Sequence, residues 1–307
     1  MGEVSRAAER AIATMEARTT RASVPEPADG AGWDELYERQ EAAVDPANAR
    51  ALERYRPQLA CRRVAGLPAQ VVTPVARTAT DARIVFVHGG AYTLFSARST
   101  LFASVPLAHE LGLELWSLDY PRAPHSRHDR TVTLVAEALA AACGDGARVL
   151  LVGDSAGGGL ALAATLRLVA HGSSRPAALC LWSPWVDLSY DGARGGLDAV
   201  DPVLRRDPDL TRAALAYAPV THLRDPEVSP VYASFPGDFP PTLIQCGTRE
   251  ILLPDAIRLH ETLVRAGIRA RLDVRPGMVH SYPAILPEVP EARRARKLVR
   301  RFFQLFG

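Results

Sequence analysis

Lysine is nearly absent from this chain: Lys297, close to the C-terminus, is the single one among 307 residues. A Ser–Lys dyad, a phosphate-cradling Walker lysine and a cofactor Schiff base each need a lysine inside a site, so all three chemistries are disfavoured. Cysteine is scarce as well. Cys61, Cys143, Cys180 and Cys246 show no C-x-x-C spacing, and they read as small apolar residues bound for the interior. Neither sign of charge is in excess, since 36 Lys and Arg against 34 Asp and Glu leave a net charge of +2. That balance suggests neither nucleic acid nor an acidic membrane as partner. No apolar run approaches the ~20 residues that span a bilayer. No apolar signal core follows Met1–Arg6, and Arg6 stands where a myristoylation site requires Ser or Thr. A cytoplasmic location is expected. What remains, with 48% hydrophobic residues, suffices for one sizeable folded domain.

The most informative segment is Val149-Leu-Leu-Val-Gly-Asp-Ser-Ala-Gly-Gly-Gly-Leu160. An apolar strand runs into G-x-S-x-G and then into an apolar helix, the context of a nucleophile elbow with Ser155 at the apex. Gly153 and Gly157 leave the tight turn free of side chains, and the helix N-terminus favours negative charge developing beside Ser155. Without the strand and helix, the pattern would be only a Ser–Gly turn. A second apolar run, Arg83-Ile-Val-Phe-Val-His-Gly-Gly-Ala-Tyr92, reads as a strand delivering a glycine loop. Such a loop can bring free backbone N–H groups close to a substrate oxyanion. A hairpin turn is the alternative, but no second alternating run follows at once.

A serine nucleophile needs a base, and the base needs an orienting carboxylate, in the chain order Ser, acid, His for this kind of elbow. His280 is the only histidine after residue 260, on a loop expected after a strand that ends at Pro276-Gly277. The acid is expected just beyond the strand 241–247. Glu250 is preferred to Asp255, because Asp255 falls in the first turns of a helix with Leu253, Ile257 and Val264 on one face. An acidic residue there is explained by the helix dipole.

The ordered set His88-Gly-Gly-Ala-Tyr92, Asp119-Tyr120, Ala123-Pro124, Gly153-Asp-Ser-Ala-Gly157, Ser183-Pro-Trp-Val-Asp-Leu-Ser189, Ser229-Pro230, Gly247-Thr-Arg-Glu250 and Met278-Val-His280 resembles the bacterial hormone-sensitive lipase-like esterases of the α/β-hydrolase fold. The resemblance implies a mostly parallel central sheet with helices on both faces and a helical cap. It also implies Ser155 as nucleophile, His280 as base and Glu250 as acid, with the N–H groups of Gly90, Ala91 and Ala156 as oxyanion hole. Gly89, Tyr92, Tyr217 and Tyr282 are the candidate substrate contacts. Two departures stand out: Ala91 replaces a third glycine, and the 121–129 loop, Pro-Arg-Ala-Pro-His-Ser-Arg-His-Asp, differs from the usual Glu-His-Pro-like stretch. His125, His128 and Asp129 in that loop fit no strong metal-ligand spacing and read as a solvated polar loop. No metal and no organic cofactor is expected.

Two helical stretches, 4–21 and 33–52, flank a Pro- and Gly-containing break, and residues 1–55 are taken as an N-terminal cap segment. Residues 56–307 form the catalytic domain, with a cap insertion at about 188–234 around a short helix 210–217. The final helix, 291–306, places Leu298, Phe302 and Leu305 on one face and reads as a sheet-covering helix with a solvated basic side. Phe302, Phe303 and Phe306 cannot all face one sheet easily, which suggests a homodimer. The expected activity is hydrolysis of short- to medium-chain acyl esters, a small-molecule ester being the partner. An amidase or N-deacetylase with the same triad is the alternative. A non-catalytic ligand-binding relative of this fold is disfavoured by the presence of His280.

Overall fold

Side chains alternate across a strand, so a central strand covered on both faces is apolar at nearly every position. The middle of this chain has that pattern, and it decides how the elements layer. The computed structural model describes residues 4–18, 24–78, 81–190 and 197–306. Helices α1 (Arg6–Arg18) and α2 (Gly30–Tyr55) precede strands β1 (Gln58–Val64), β2 (Leu67–Thr73) and β3 (Ala82–Val87). Helix and strand then alternate through α3 (Leu101–Leu111), β4 (Leu115–Leu118), α4 (His128–Cys143), β5 (Arg148–Asp154), α5 (Ala156–Ala170) and β6 (Ala178–Trp182). A long connection carrying α6 (Thr211–Tyr217) leads to β7 (Thr242–Arg249), α7 (Leu253–Arg265), β8 (Ala270–Val279), the short α8 (Tyr282–Ile285) and α9 (Pro290–Phe306). Residues 19–21 of the expected helix 4–21 and residues 191–196 of the expected insertion lie outside the described residues.

Among the described residues eight strands form one sheet in the order β1-β2-β4-β3-β5-β6-β7-β8. The β1/β2 and β2/β4 pairs are antiparallel and all others parallel. Ile84, Phe86, Leu150 and Val152 bury with α3 and α9 on one face. Their neighbours Val85, Val87, Leu151 and Leu181 bury with α4, α5 and α7 on the other. This two-sided burial is why the central strands read as unbroken apolar runs in the sequence. The N-terminal segment is tied to the rest at several points. Ser5 N–H and Oγ–H donate to the two oxygens of Glu291 at 2.8 and 2.9 Å, while Arg212 of α6 donates to the Val24 carbonyl and pairs with Glu26.

Four expectations need correcting. The buried face of α7 is Ala256, Leu259 and Leu263, with Asp255 also buried, whereas Ile257 and Val264 are exposed. The helix carries two apolar stripes, and packing on the sheet selects the other one. In α9 the covered residues are Ala292, Ala295, Val299, Phe302 and Phe303, while Leu305 is 74% exposed. Two of the three rings that suggested a homodimer are therefore covered by the chain's own core. Cys61 is exposed on edge strand β1, so only Cys180 and Cys246 behave as fully buried apolar residues. Strand β8 does not stop at Pro276-Gly277 but continues to Val279: pairing with β7 resumes at Arg249↔Val279 after a bulge in which residues 276–278 oppose Thr248 alone.

At the start of α5 the packing is tight. A Cβ on Gly157 would lie 2.2 Å from the Val87 carbonyl oxygen and 2.3 Å from that of His88, both fixed backbone at the end of β3. Gly157→Ala should therefore destabilise the protein by about 1–3 kcal/mol, the usual range for forced overpacking. Urea unfolding would read this as a lower midpoint at unchanged slope; an unchanged midpoint would mean that the two elements can separate freely.

Candidate active site

The carboxyl ends of β3, β5, β7 and β8 converge, and each delivers one part of the site. Strand β5 turns into α5 through Ser155, whose backbone has φ 53° and ψ −120°, a conformation that a non-glycine residue adopts only under tertiary constraint. Ser155 N–H donates to the Trp182 carbonyl at 2.8 Å, which anchors the turn to β6. Its side chain is nearly buried, at 8% exposure.

Immediately after β8, His280 contacts the two groups expected of it. Its Nδ1 lies 2.9 Å from Glu250 Oε2 and its Nε2 lies 3.0 Å from Ser155 Oγ. A carboxylate only accepts, so Nδ1 carries the proton and Nε2 presents its lone pair to the serine hydroxyl. Burial alone would push this imidazole down. The hydrogen bond to Glu250 and the charges of Glu250, Asp201 and Asp154 outweigh that cost, and its pKa ends above the ordinary 6.5. Glu250 is fully buried. Its Oε1 accepts from Ser183 Oγ at 3.0 Å and from Gly247 N–H at 2.5 Å, so both of its oxygens have partners. Asp255, the other candidate, lies in the first turn of α7, and the contact to His280 is made by Glu250.

The loop after β3 supplies backbone donors. It runs through positive φ at Gly90, Ala91 and Tyr92, so Ala91 adopts the conformation that the third glycine would have favoured. The N–H groups of Gly90 and Ala91 make no backbone hydrogen bond among the described residues, and Ala156 opens α5, where no preceding turn can accept its N–H. Gly89 brings this loop against the elbow: a Cβ there would sit 2.7 Å from Asp154 Oδ2 and 3.2 Å from Ser155 Cβ. His88 is fully buried and stacks on Tyr120 with ring centroids 4.2 Å apart. Its Nδ1 contacts the Gly89 carbonyl at 2.8 Å, and burial lowers its pKa, so the ring is neutral and braces the loop.

Of the candidate substrate contacts, Tyr92 and Tyr217 stack with centroids 3.8 Å apart, and Tyr92 lies 5.6 Å from Trp185. Tyr282 is not brought to this group; its ring packs with Ala8, Met278 and Leu286 in the cluster between α1 and α9. The reason is directional: α8 starts after Ser281, and its first side chain turns into the cluster between α1 and α9. In the unusual 121–129 loop, the Arg122 guanidinium lies 3.4 Å from the Tyr37 ring centre. His125 Nε2 is 2.9 Å from Asp34, and His128 Nε2 is 3.4 Å from His222 Nδ1. The loop thus ties α2 and the β6–β7 connection to the core.

Four residues were not singled out by the sequence as site residues. Ser183 Oγ donates to Glu250 and accepts from Ser281 N–H at 2.9 Å. Asp201 accepts from Ile251 N–H at 2.9 Å and from the N–H groups of Val203 and Leu204, which pins the segment carrying Glu250 to the β6–β7 connection. Asp154 accepts from Ser281 Oγ–H at 2.5 Å. The signal for Ser183 and Asp154 was their place in ordered motifs; Asp201 and Ser281 carried none.

Residues 84–284 match a family model described as alpha/beta hydrolase fold. An acetyl-hydrolase of Streptomyces hygroscopicus is 36% identical over 225 residues, which cover 72% of this chain and 75% of the relative. An esterase of Acinetobacter venetianus is 28% identical over 242 residues, 76% of this chain and 77% of its own length. A solved esterase of the bacterial hormone-sensitive lipase family is 27% identical, with a TM-score of 0.84 over 100% of this chain and 99% of that one. The chain belongs to the α/β-hydrolase family, in its branch of bacterial hormone-sensitive lipase-like esterases, and is a carboxylic ester hydrolase. No helix of the described residues is long and apolar enough to cross a membrane.

The charge arrangement makes a direct prediction. An NMR titration should find His280 with a pKa above 6.5, and Glu250→Gln should lower it, because the carboxylate that favours the imidazolium becomes neutral. An unchanged value in Glu250→Gln would assign the shift to another group.

Proposed function

We propose that the chain is a serine carboxylesterase that cleaves short- to medium-chain acyl esters through an acyl-enzyme, with Ser155 as nucleophile, His280 as general base and Glu250 as its orienting acid. The observation that carries this reading is the unbroken line of contacts from Ser155 Oγ through both nitrogens of His280 to Glu250. As Ser155 Oγ attacks the ester carbonyl, its proton passes to His280 Nε2. The carbonyl oxygen becomes an oxyanion facing the N–H groups of Gly90, Ala91 and Ala156. His280 then gives the proton to the departing alkoxide, and a water activated by the same imidazole releases the acid. The Glu250 carboxylate stabilises the imidazolium formed in each half.

The acyl preference rests on how closed the site is. Ser155 and His280 are only 8% and 4% exposed. The stacked Tyr92 and Tyr217, with Trp185, fill the space beside α5, where a Cβ on Gly159 would lie 2.6 Å from the Tyr92 hydroxyl. We take residues 1–55 and the connection at about 188–234 as the cap over this pocket, supported by the Arg212 contacts to Val24 and Glu26. A covered pocket admits a long chain only by opening. The name acetyl-hydrolase, borne by the Streptomyces relative, points to the same small acyl groups.

Two measurements on one preparation test this. A fluorophosphonate should give a single adduct on Ser155 by mass spectrometry. A p-nitrophenyl ester series should give its highest kcat/KM between acetate and octanoate. An unlabelled protein would sink the nucleophile assignment, and a maximum at myristate or beyond would sink the covered pocket; turnover of N-acetyl compounds with no ester cleavage would favour an amidase.

A further inference from the structure

His280 Nε2 has a second neighbour. Ser281 Oγ lies 3.3 Å from it, only slightly farther than Ser155 Oγ at 3.0 Å. Ser281 is also the residue whose backbone is least expected here. It has φ 49° and ψ 33°, a left-handed conformation that glycine would adopt at less cost. Its exposure is 2%, and three hydrogen-bonding groups fix it: its N–H donates to Ser183 Oγ, its Oγ–H donates to Asp154 Oδ1, and its oxygen faces His280. Asp154 immediately precedes the nucleophile, and loss of water pushes its carboxyl up to about 6, against the hydrogen bond from Ser281 and the charge of His280.

These hydrogen positions have a consequence for the base. While Asp154 is ionised it can only accept, so the single proton of the Ser281 hydroxyl is committed to it. Ser281 therefore cannot donate to Nε2 and does not compete with the Ser155 hydroxyl for the lone pair of neutral His280. Once His280 has taken the Ser155 proton, Nε2–H becomes a donor, and the Ser281 oxygen offers it a second acceptor. We propose that Ser281, its hydroxyl oriented by Asp154, is a positioning residue that holds the imidazolium form of His280 in place while the tetrahedral intermediate exists. The interaction is absent from the resting enzyme and appears only with the charge, which is the property that raises kcat without tightening substrate binding. It rests on the proposal that His280 is the general base. The strain at Ser281 is then spent on a side chain that glycine could not supply.

The test uses the full-length enzyme, a p-nitrophenyl ester and the fluorophosphonate adduct as an independent check on Ser155. Ser281→Gly removes the hydroxyl while relaxing the backbone, so the relief at positive φ offsets part of the cost of leaving Asp154 without its donor, and circular dichroism checks that the variant is folded. Its kcat should fall about 10- to 100-fold, the range commanded by a hydrogen bond to a charged group, with KM little changed. Because Ser281 favours the charged ring, its removal should lower the His280 pKa and move the acid limb of kcat/KM to lower pH. Asp154→Asn placed in the Ser281→Gly background should then cost less than it does in the parent, since its partner hydroxyl is already gone. Parent-like kcat and acid limb in Ser281→Gly would overturn the proposal, and so would a loss of kcat with the acid limb unmoved. If the parent itself is not labelled at Ser155, it is the triad reading that fails.

Discussion

A buried imidazole is costly to charge, and in the proposed mechanism the groups around His280 are what let it carry a proton briefly. At 4% exposure the ring has little water to stabilise its cationic form. Glu250 answers on Nδ1, while Asp154 and Asp201 add negative charge nearby. Each of those carboxylates must in turn be satisfied, or it would be a buried charge without partners. Glu250 is held by Ser183 and Gly247, Asp154 by Ser281, and Asp201 by three backbone N–H groups. The polar groups around the site form a network whose centre is one histidine.

The backbone at this centre is held under strain by the rigid sheet. Ala91, Tyr92, Ser155, Ser183 and Ser281 all have positive φ, and such positions cost about 1–3 kcal/mol each. They lie directly after the carboxyl ends of β3, β5, β6 and β8, where buried apolar strands fix the entry to each turn. Parallel strands place these turns side by side, so the sheet brings together residues as far apart as Ser155 and His280.

The parts of the site legible in the sequence were those written in contiguous residues. The elbow around Ser155 and the glycine loop before Ala91 each combine an apolar run with turn chemistry, and both elements formed where the pattern put them. His280 and Glu250 were legible through chain order. The rest depended on long-range packing. Ser281 meets Asp154 across 127 residues and Ile251 meets Asp201 across 50, separations that carry no local signal. The stripe Leu253, Ile257 and Val264 was misleading because a second stripe, Ala256, Leu259 and Leu263, fits the sheet better. Tyr282 was misleading because adjacency to His280 in sequence does not decide which way a helical side chain points.

The central claim is that His280 works only while Glu250 holds it. Its most direct test compares kcat for Glu250→Ala and Asp255→Ala, with folding checked by circular dichroism. Loss of the orienting acid leaves the imidazole without its tautomer-fixing partner and its cation without a counter-charge, an effect on the order of 10⁴ in kcat in the serine protease precedent. The account predicts that Glu250→Ala folds and loses most of its kcat while Asp255→Ala, if folded, keeps it. A folded Glu250→Ala with parent-like kcat, or a collapse of kcat in a folded Asp255→Ala alone, would contradict it.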